Sequence, residues 1–413
     1  MDPKAIKGLQ CIQCKWVVPA EPFSYTCPKC GKNLDYIYDY DRLAENFSKA
    51  DLKTDQEKSI WRYLPLLPVN NSPENTSLRV GGTPLVSFPA LARQHALATF
   101  QIKDDSRNPS GSLKDRASEV AIQHAQEQGK KVIVAASTGN AGSSLAALSA
   151  FHGVRSIILA PATAPPAKLT QILQHGATLV PVNSNYDAAF ELAFEWAQKH
   201  QSYCRNTGVN PILAEGKKTV ALEIAEENDW QVPDHIFVPV GDGCIISGVY
   251  KGFFDLLSLG WINSMPALHG VQAAGSAAIV DSLTRGGEIQ AVSANTIADS
   301  ISVDLPRDGG KARRAILESG GLGFRVSDEA ILEAQKTLSE NTGIFGEPAA
   351  AAAYAGFLQA AEKGVFKANE HVVVLITGSG LKDTVNAQKL LKPVKPVNAT
   401  LADVETFLDN PKS

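Results

Sequence analysis

Short runs of β-branched and apolar residues alternate with stretches of helical periodicity along most of this chain, and that alternation limits what it can fold into. The runs lie at 132–136, 156–160, 178–182, 235–240, 267–273 and 372–376. Alanine-rich or amphipathic stretches at 141–151, 186–200 and 219–227 separate several of them. A strand, a helix and another strand in succession imply parallel sheets with right-handed crossovers, hence an α/β fold. Glycine-bearing turns (Gly139-Asn140, Gly241-Asp-Gly243 and Gly378-Ser-Gly380) follow immediately after three of the runs. In open α/β sheets that carboxyl edge is where ligands bind. At 413 residues the chain has room for two or three domains.

The first thirty residues follow a different pattern. Cys11-x2-Cys14 and Cys27-x2-Cys30 each turn two thiols toward one point, with Gly31 after the second pair. The spacing predicts a zinc ribbon, and four thiolates leave no open position for catalysis. A ribbon folding without metal and a redox pair are the alternatives. A disulfide scaffold would be short and cysteine-dense, whereas this chain has six cysteines in all. Residues 1–10 carry no apolar targeting segment and no run of membrane-spanning length occurs, so the expected compartment is the cytoplasm. Lys and Arg number 39 against 43 Asp and Glu, a net charge of −4 that argues against a nucleic-acid or membrane-surface partner. The residues between the cysteine pairs, including Trp16, Phe23 and Tyr25, are mostly apolar or aromatic.

Four segments carry residue types suited to chemistry. Asn108-Pro-Ser-Gly-Ser-Leu-Lys114-Asp-Arg116 delivers one lysine to the start of a helix. Such an amine becomes nucleophilic and able to form a Schiff base when partly desolvated. Ser137-Thr138-Gly139-Asn140 stands between a strand and a helix, where backbone N–H groups take an anion such as a carboxylate. Gly241-Asp242-Gly243-Cys244-Ile245 is a glycine-rich turn after a strand, suited to phosphate. It is not the dinucleotide fingerprint, because Ile246 stands where that motif needs glycine, and Asp242 suits a phosphate only if its side chain turns away. Thr377-Gly-Ser-Gly-Leu-Lys-Asp383 follows the last apolar run. Each segment alone also reads as an ordinary structural turn.

In this order, and with Gly82-Thr-Pro-Leu85 before them, the segments resemble the fold-type II pyridoxal 5′-phosphate (PLP) enzymes related to the tryptophan synthase β chain, threonine synthases in particular. Segments 296–299, 312–320 and 343–348 fit the same pattern. The resemblance spans roughly residues 11–390 and implies two parallel-sheet α/β domains behind a zinc-ribbon-like segment. The ribbon would occupy 1–44, a large PLP-binding domain 45–118 with 205–395, a small α/β domain 119–204, and a C-terminal extension 396–413. Lys114 is then expected to hold PLP as a Schiff base and to shuttle protons. Asn140 would bond the phenolic oxygen, and Thr377 would face the pyridine nitrogen. Gly241, Asp242, Gly243, Cys244 and Ile245 would hold the phosphate. Ser137, Thr138, Gly139 and Asn140 would grip the carboxylate of an amino-acid substrate, with Thr207 also binding substrate. A hydroxyl rather than an Asp at the pyridine nitrogen leaves the ring a weaker electron sink, suited to elimination and replacement at the β- and γ-carbons. The resemblance implies a homodimer converting O-phosphohomoserine and water to threonine and phosphate.

One stretch departs from the family. Asn206-Thr-Gly-Val-Asn-Pro-Ile-Leu-Ala-Glu-Gly-Lys-Lys-Thr219 has Leu213 where the family usually has an Arg that helps bind the substrate phosphate, and Lys217 where it has Gln. Ala117 also replaces a frequent Gly. A dianion favours a guanidinium, so Lys103, Arg107, Arg116 or Arg205 is expected to compensate. The alternatives are a PLP-dependent lyase or β-replacement enzyme acting on an unphosphorylated amino acid (threonine, serine or diaminopropionate) and a non-catalytic binding protein on the same fold.

Overall fold

The computed structural model describes residues 5–164, 166–391 and 393–409. The outermost residues of the N-terminal segment and of the C-terminal extension, together with Pro165 and Lys392, lie outside the described residues. Three sheets organise the rest. A small antiparallel one has the order Val17–Val18, Ile6–Cys11, Leu34–Tyr38. A six-stranded sheet has the order Gly323–Val326, Ala267–Ala273, His235–Pro239, His371–Ile376, Thr99–Asp104, Leu85–Ser87. All its neighbours pair parallel except the last two. A four-stranded, wholly parallel sheet has the order Thr178–Val182, Arg155–Pro161, Val132–Ala136, Tyr203–Cys204.

Every strand expected from the apolar runs is present to within a residue at each end. The strands Thr99–Asp104 and Gly323–Val326 were not expected. The first carries Gln101, Lys103 and Asp104, all buried, and only their partners explain how such polar side chains enter a sheet. Lys103 bridges Glu223 at 2.8 Å and Glu227 at 2.7 Å. Beside it Arg116 reaches Asp105 at 2.7 Å and Glu223 at 2.6 Å. Buried charges persist only when paired. This network ties the strand to the helices Lys114–Glu127 and Ile212–Glu227. Those helices approach so closely that a Cβ on Gly216 would collide with the carbonyl oxygen of Arg116.

The first sheet is bound firmly to the larger unit. Phe23 and Tyr25 pack on His124, Phe194 and Tyr203. The Tyr25 hydroxyl accepts from the Cys204 N–H at 2.8 Å. Asp35 pairs with Lys311 at 2.7 Å and Arg314 at 2.6 Å. Two of the aromatic residues near the cysteines therefore serve this interface, while Trp16 is half exposed beneath Lys29. The C-terminal helix Leu401–Asp409 buries none of its residues. No described helix is long and apolar enough to cross a membrane.

Candidate active site

Three strand ends bring the chemistry together. Val132–Ala136 ends at Ser137, and the helix Asn140–Phe151 starts three residues later. His235–Pro239 runs into Gly241–Cys244, where Gly243 takes φ +98°, a left-handed conformation that admits glycine readily, and caps the 15-residue helix Cys244–Ser258. His371–Ile376 ends at Thr377, whose carbonyl accepts the Leu113 N–H at 2.9 Å. That bond seats the segment before Lys114 against the sheet edge.

Lys114, Thr207, Gly241, Asp242, Gly243, Cys244, Ile245 and Thr377 line one cavity. Ser137, Thr138, Gly139 and Asn140 line an adjoining one of about 220 Å³ that shares Lys114, Thr207 and Asp242 with the first. The candidate residues for small-molecule chemistry thus converge on one place. The four cysteines lie elsewhere, with their sulfurs all within 4.8 Å of one another.

Electrostatics sets Lys114 apart. Burial, reinforced by the nearby Lys217 charge, lowers its pKa to about 8. Near neutral pH an appreciable fraction is therefore the free amine, the form that attacks a carbonyl. Glu347, which no sequence reading assigned, lies close by. Its carboxylate accepts from Asn140 Nδ2 at 2.6 Å, and burial raises its pKa against the opposing pull of Lys382 and Lys114. Its sequence signal was its place before Pro348 at a helix start, inside segment 343–348. Tyr186, Asp299, Ser300 and Lys217 also line the cavities without having been foreseen there.

The expected compensators for Leu213 fare unequally. Lys103 and Arg116 are committed to carboxylates, and Arg107 is exposed. Arg205 remains. Its Nη1 donates to the Thr207 hydroxyl at 2.9 Å, its Nη2 is buried without a partner, and burial lowers its pKa to about 10. Leu213 itself is 1% exposed and packs in the hydrophobic core.

A family model described as pyridoxal-phosphate dependent enzyme matches residues 76–378, nearly the whole of the region just described. The chain belongs to the pyridoxal-phosphate dependent enzyme family. Its similar relatives include a threonine synthase of Methanocaldococcus jannaschii, 38% identical over 91% of this chain and 92% of that one. A threonine synthase of Mycobacterium tuberculosis is 35% identical over 82% of this chain and 92% of its own. Among solved structures, threonine deaminase isoform 2 from Solanum lycopersicum superposes with a TM-score of 0.64 at 23% identity, covering 75% of this chain and 88% of that one. A diaminopropionate ammonia lyase from Escherichia coli reaches 0.65 at 19% identity, covering 83% and 92%. At those identities the two structures share the fold.

The cavity suits the cofactor of a pyridoxal-phosphate dependent enzyme. First-turn N–H groups of a helix lack intrahelical partners, and those of Cys244–Ser258 open on the glycine loop, as a phosphate requires. One Asp242 carboxylate oxygen accepts from the Arg307 N–H at 3.2 Å, and burial raises its pKa, so its charge opposes a phosphate less than its sequence position implied. We propose Lys114 as the attachment point of added PLP; in the cofactor-free protein the attachment rate is then expected to rise about tenfold per pH unit and to level off above about 8. Stopped-flow absorbance across pH 6–10, a range chosen to span about two units either side, checks this; a flat profile contradicts it.

Proposed function

We propose that the chain is a threonine synthase, converting O-phosphohomoserine and water to threonine and inorganic phosphate. The observation that carries the reading is the desolvated Lys114 amine at the junction of a glycine-loop cavity and a hydroxyl-lined one, in a chain similar to threonine synthases over nine-tenths of its length. PLP, when bound, supplies an electron sink for the substrate α-carbon. Lys114 is the residue that would hold it, with the Gly241–Ile245 loop on its phosphate and Asn140 and Thr377 on its ring. The N–H groups of Ser137–Asn140 orient the substrate carboxylate at a helix N-terminus. The Lys114 amine takes the protons at Cα and Cβ. It returns one to Cγ after phosphate departs and one to Cα after water has added at Cβ. Thr207, with Arg205 behind it, serves the departing phosphate in place of the guanidinium that Leu213 does not provide.

A second reading is favoured by one observation. Among the described residues lining the 220 Å³ cavity, Lys114 is the sole cation, while Asp242 and Asp299 are both acidic. That wall suits an unphosphorylated amino acid better than a dianion. Purified protein supplied separately with O-phosphohomoserine, threonine, serine and 2,3-diaminopropionate distinguishes the two. The synthase reading expects phosphate and threonine from the first at matching rates; a 2-oxoacid from one of the others, with no phosphate from the first, would replace it with a lyase. The family resemblance supports a cytoplasmic homodimer.

For the cysteines we propose one structural zinc. Cys11 and Cys30 sulfurs stand 3.4 Å apart, Cys14 and Cys27 3.7 Å, and Cys14 and Cys30 3.5 Å. A tetrahedron with zinc–sulfur bonds of about 2.3 Å has edges of about 3.8 Å. Mass spectrometry of metals is expected to return one zinc per chain. Cys27→Ser should lose it and lower the unfolding midpoint markedly, since structural zinc contributes on the order of 10 kcal/mol to folding in isolated fingers. Stability unchanged in a zinc-free variant would rule the role out.

A further inference from the structure

Lys217 is the strongest unexplained feature of the molecule. It is fully buried, and its ammonium nitrogen has no hydrogen-bond partner. A buried polar atom without a partner is destabilising, and more so when charged. The neighbouring lysines and arginines show how this protein meets that cost elsewhere. Lys218 is paired with Glu215 at 2.5 Å and Asp255 at 2.7 Å, Lys103 with two glutamates, and Arg116 with Asp105 and Glu223. Lys217 opens instead into the cavity walled by Gly241–Ile245, and it does not line the cavity of Ser137–Asn140. Its position is fixed from behind, because a Cβ on Gly248 would meet the Lys217 Cβ at 2.8 Å. The helix carrying Lys217 and the helix capped by Gly243 are therefore held close together.

We propose that Lys217 is the counter-ion of the PLP 5′-phosphate, completing a cradle whose other donors are the first-turn N–H groups of Cys244–Ser258. Lys217 and Asp242 line the same cavity, where burial disfavours both the ammonium and the carboxylate; a phosphate dianion there favours the ammonium and further disfavours the carboxylate. A neutral amide at 217 would leave the phosphate facing Asp242 with N–H donors alone. The inference rests on PLP being the resident cofactor. It assigns Lys217 to the cofactor phosphate and leaves the substrate phosphate to Thr207 and Arg205.

The test compares PLP with pyridoxal, which lacks the phosphate, on cofactor-free protein by equilibrium dialysis. Lys217→Met and Lys217→Gln are expected to weaken PLP binding about 10- to 100-fold, the range of a lost charge-assisted hydrogen bond, and to change pyridoxal binding less than about twofold. The cofactor-free Lys217→Met protein should also melt higher than the parent, because an unpaired buried amine has gone, while PLP raises its melting temperature by less. PLP affinity within about twofold of the parent in both folded variants would overturn the assignment. So would an equal loss for PLP and pyridoxal, which would mark a change in cavity shape. A raised KM for O-phosphohomoserine at unchanged PLP affinity would give Lys217 to the substrate instead. A parent protein that binds neither compound would defeat the cofactor reading itself, and this inference with it.

Discussion

Replacing Lys114 with alanine is expected to reduce turnover at least about 10³-fold while leaving the fold intact. Proton transfer by one positioned group is commonly worth about 10²–10⁴, and the covalent attachment of the cofactor is lost as well. The side chain reaches into a cavity and takes no part in the ion-pair network beneath it, and Glu347, the carboxylate it acts on, keeps Asn140 and the pull of Lys382. PLP retained by Lys114→Ala should be released on dialysis, without the violet absorbance of a lysine Schiff base. Turnover within tenfold of the parent would mean that another amine does the chemistry; Lys217, whose charge acts on Lys114, and Lys382, whose charge acts on Glu347, are the alternatives.

The second large effect is on stability. Arg116→Met removes the cation between Asp105 and Glu223, all of it buried, and leaves carboxylates whose interactions Lys103 satisfies only in part. The loss in such cases is about 3–5 kcal/mol, read as a fall in the urea midpoint. The counterpart Arg285→Ala, at a pair whose arginine is largely exposed, should move the midpoint very little. The difference separates a structural arginine from one reserved for substrate. Arg205→Met should instead raise the KM for O-phosphohomoserine, because its free Nη2 has no carboxylate to abandon.

The sequence made the sheets visible where their strands are apolar on both faces, as in Val132–Ala136 and residues 372–376, because burial beneath helices leaves no polar alternation. It concealed Thr99–Asp104, where Lys103 is solvated by partners more than a hundred residues away. The same limit applied to the site. Lys114, Ser137–Asn140 and Gly241–Ile245 were legible because short-range turn chemistry at strand ends fixes what each can bind. Glu347 and Lys217 were not, since each gains its meaning from the groups that surround it or fail to. Lys103 and Arg116 show the converse: as bare cations they were candidates for an anion, and the structure gives both to buried carboxylates.

The most direct test of the central claim is turnover of O-phosphohomoserine in water enriched in ¹⁸O. Loss of phosphate from Cγ breaks the carbon–oxygen bond, and solvent water supplies the oxygen gained at Cβ. The account therefore predicts threonine carrying one heavy oxygen in its hydroxyl and unlabelled phosphate in equal amount. Homoserine with labelled phosphate would reveal attack at phosphorus, and together with an absence of threonine would contradict the account.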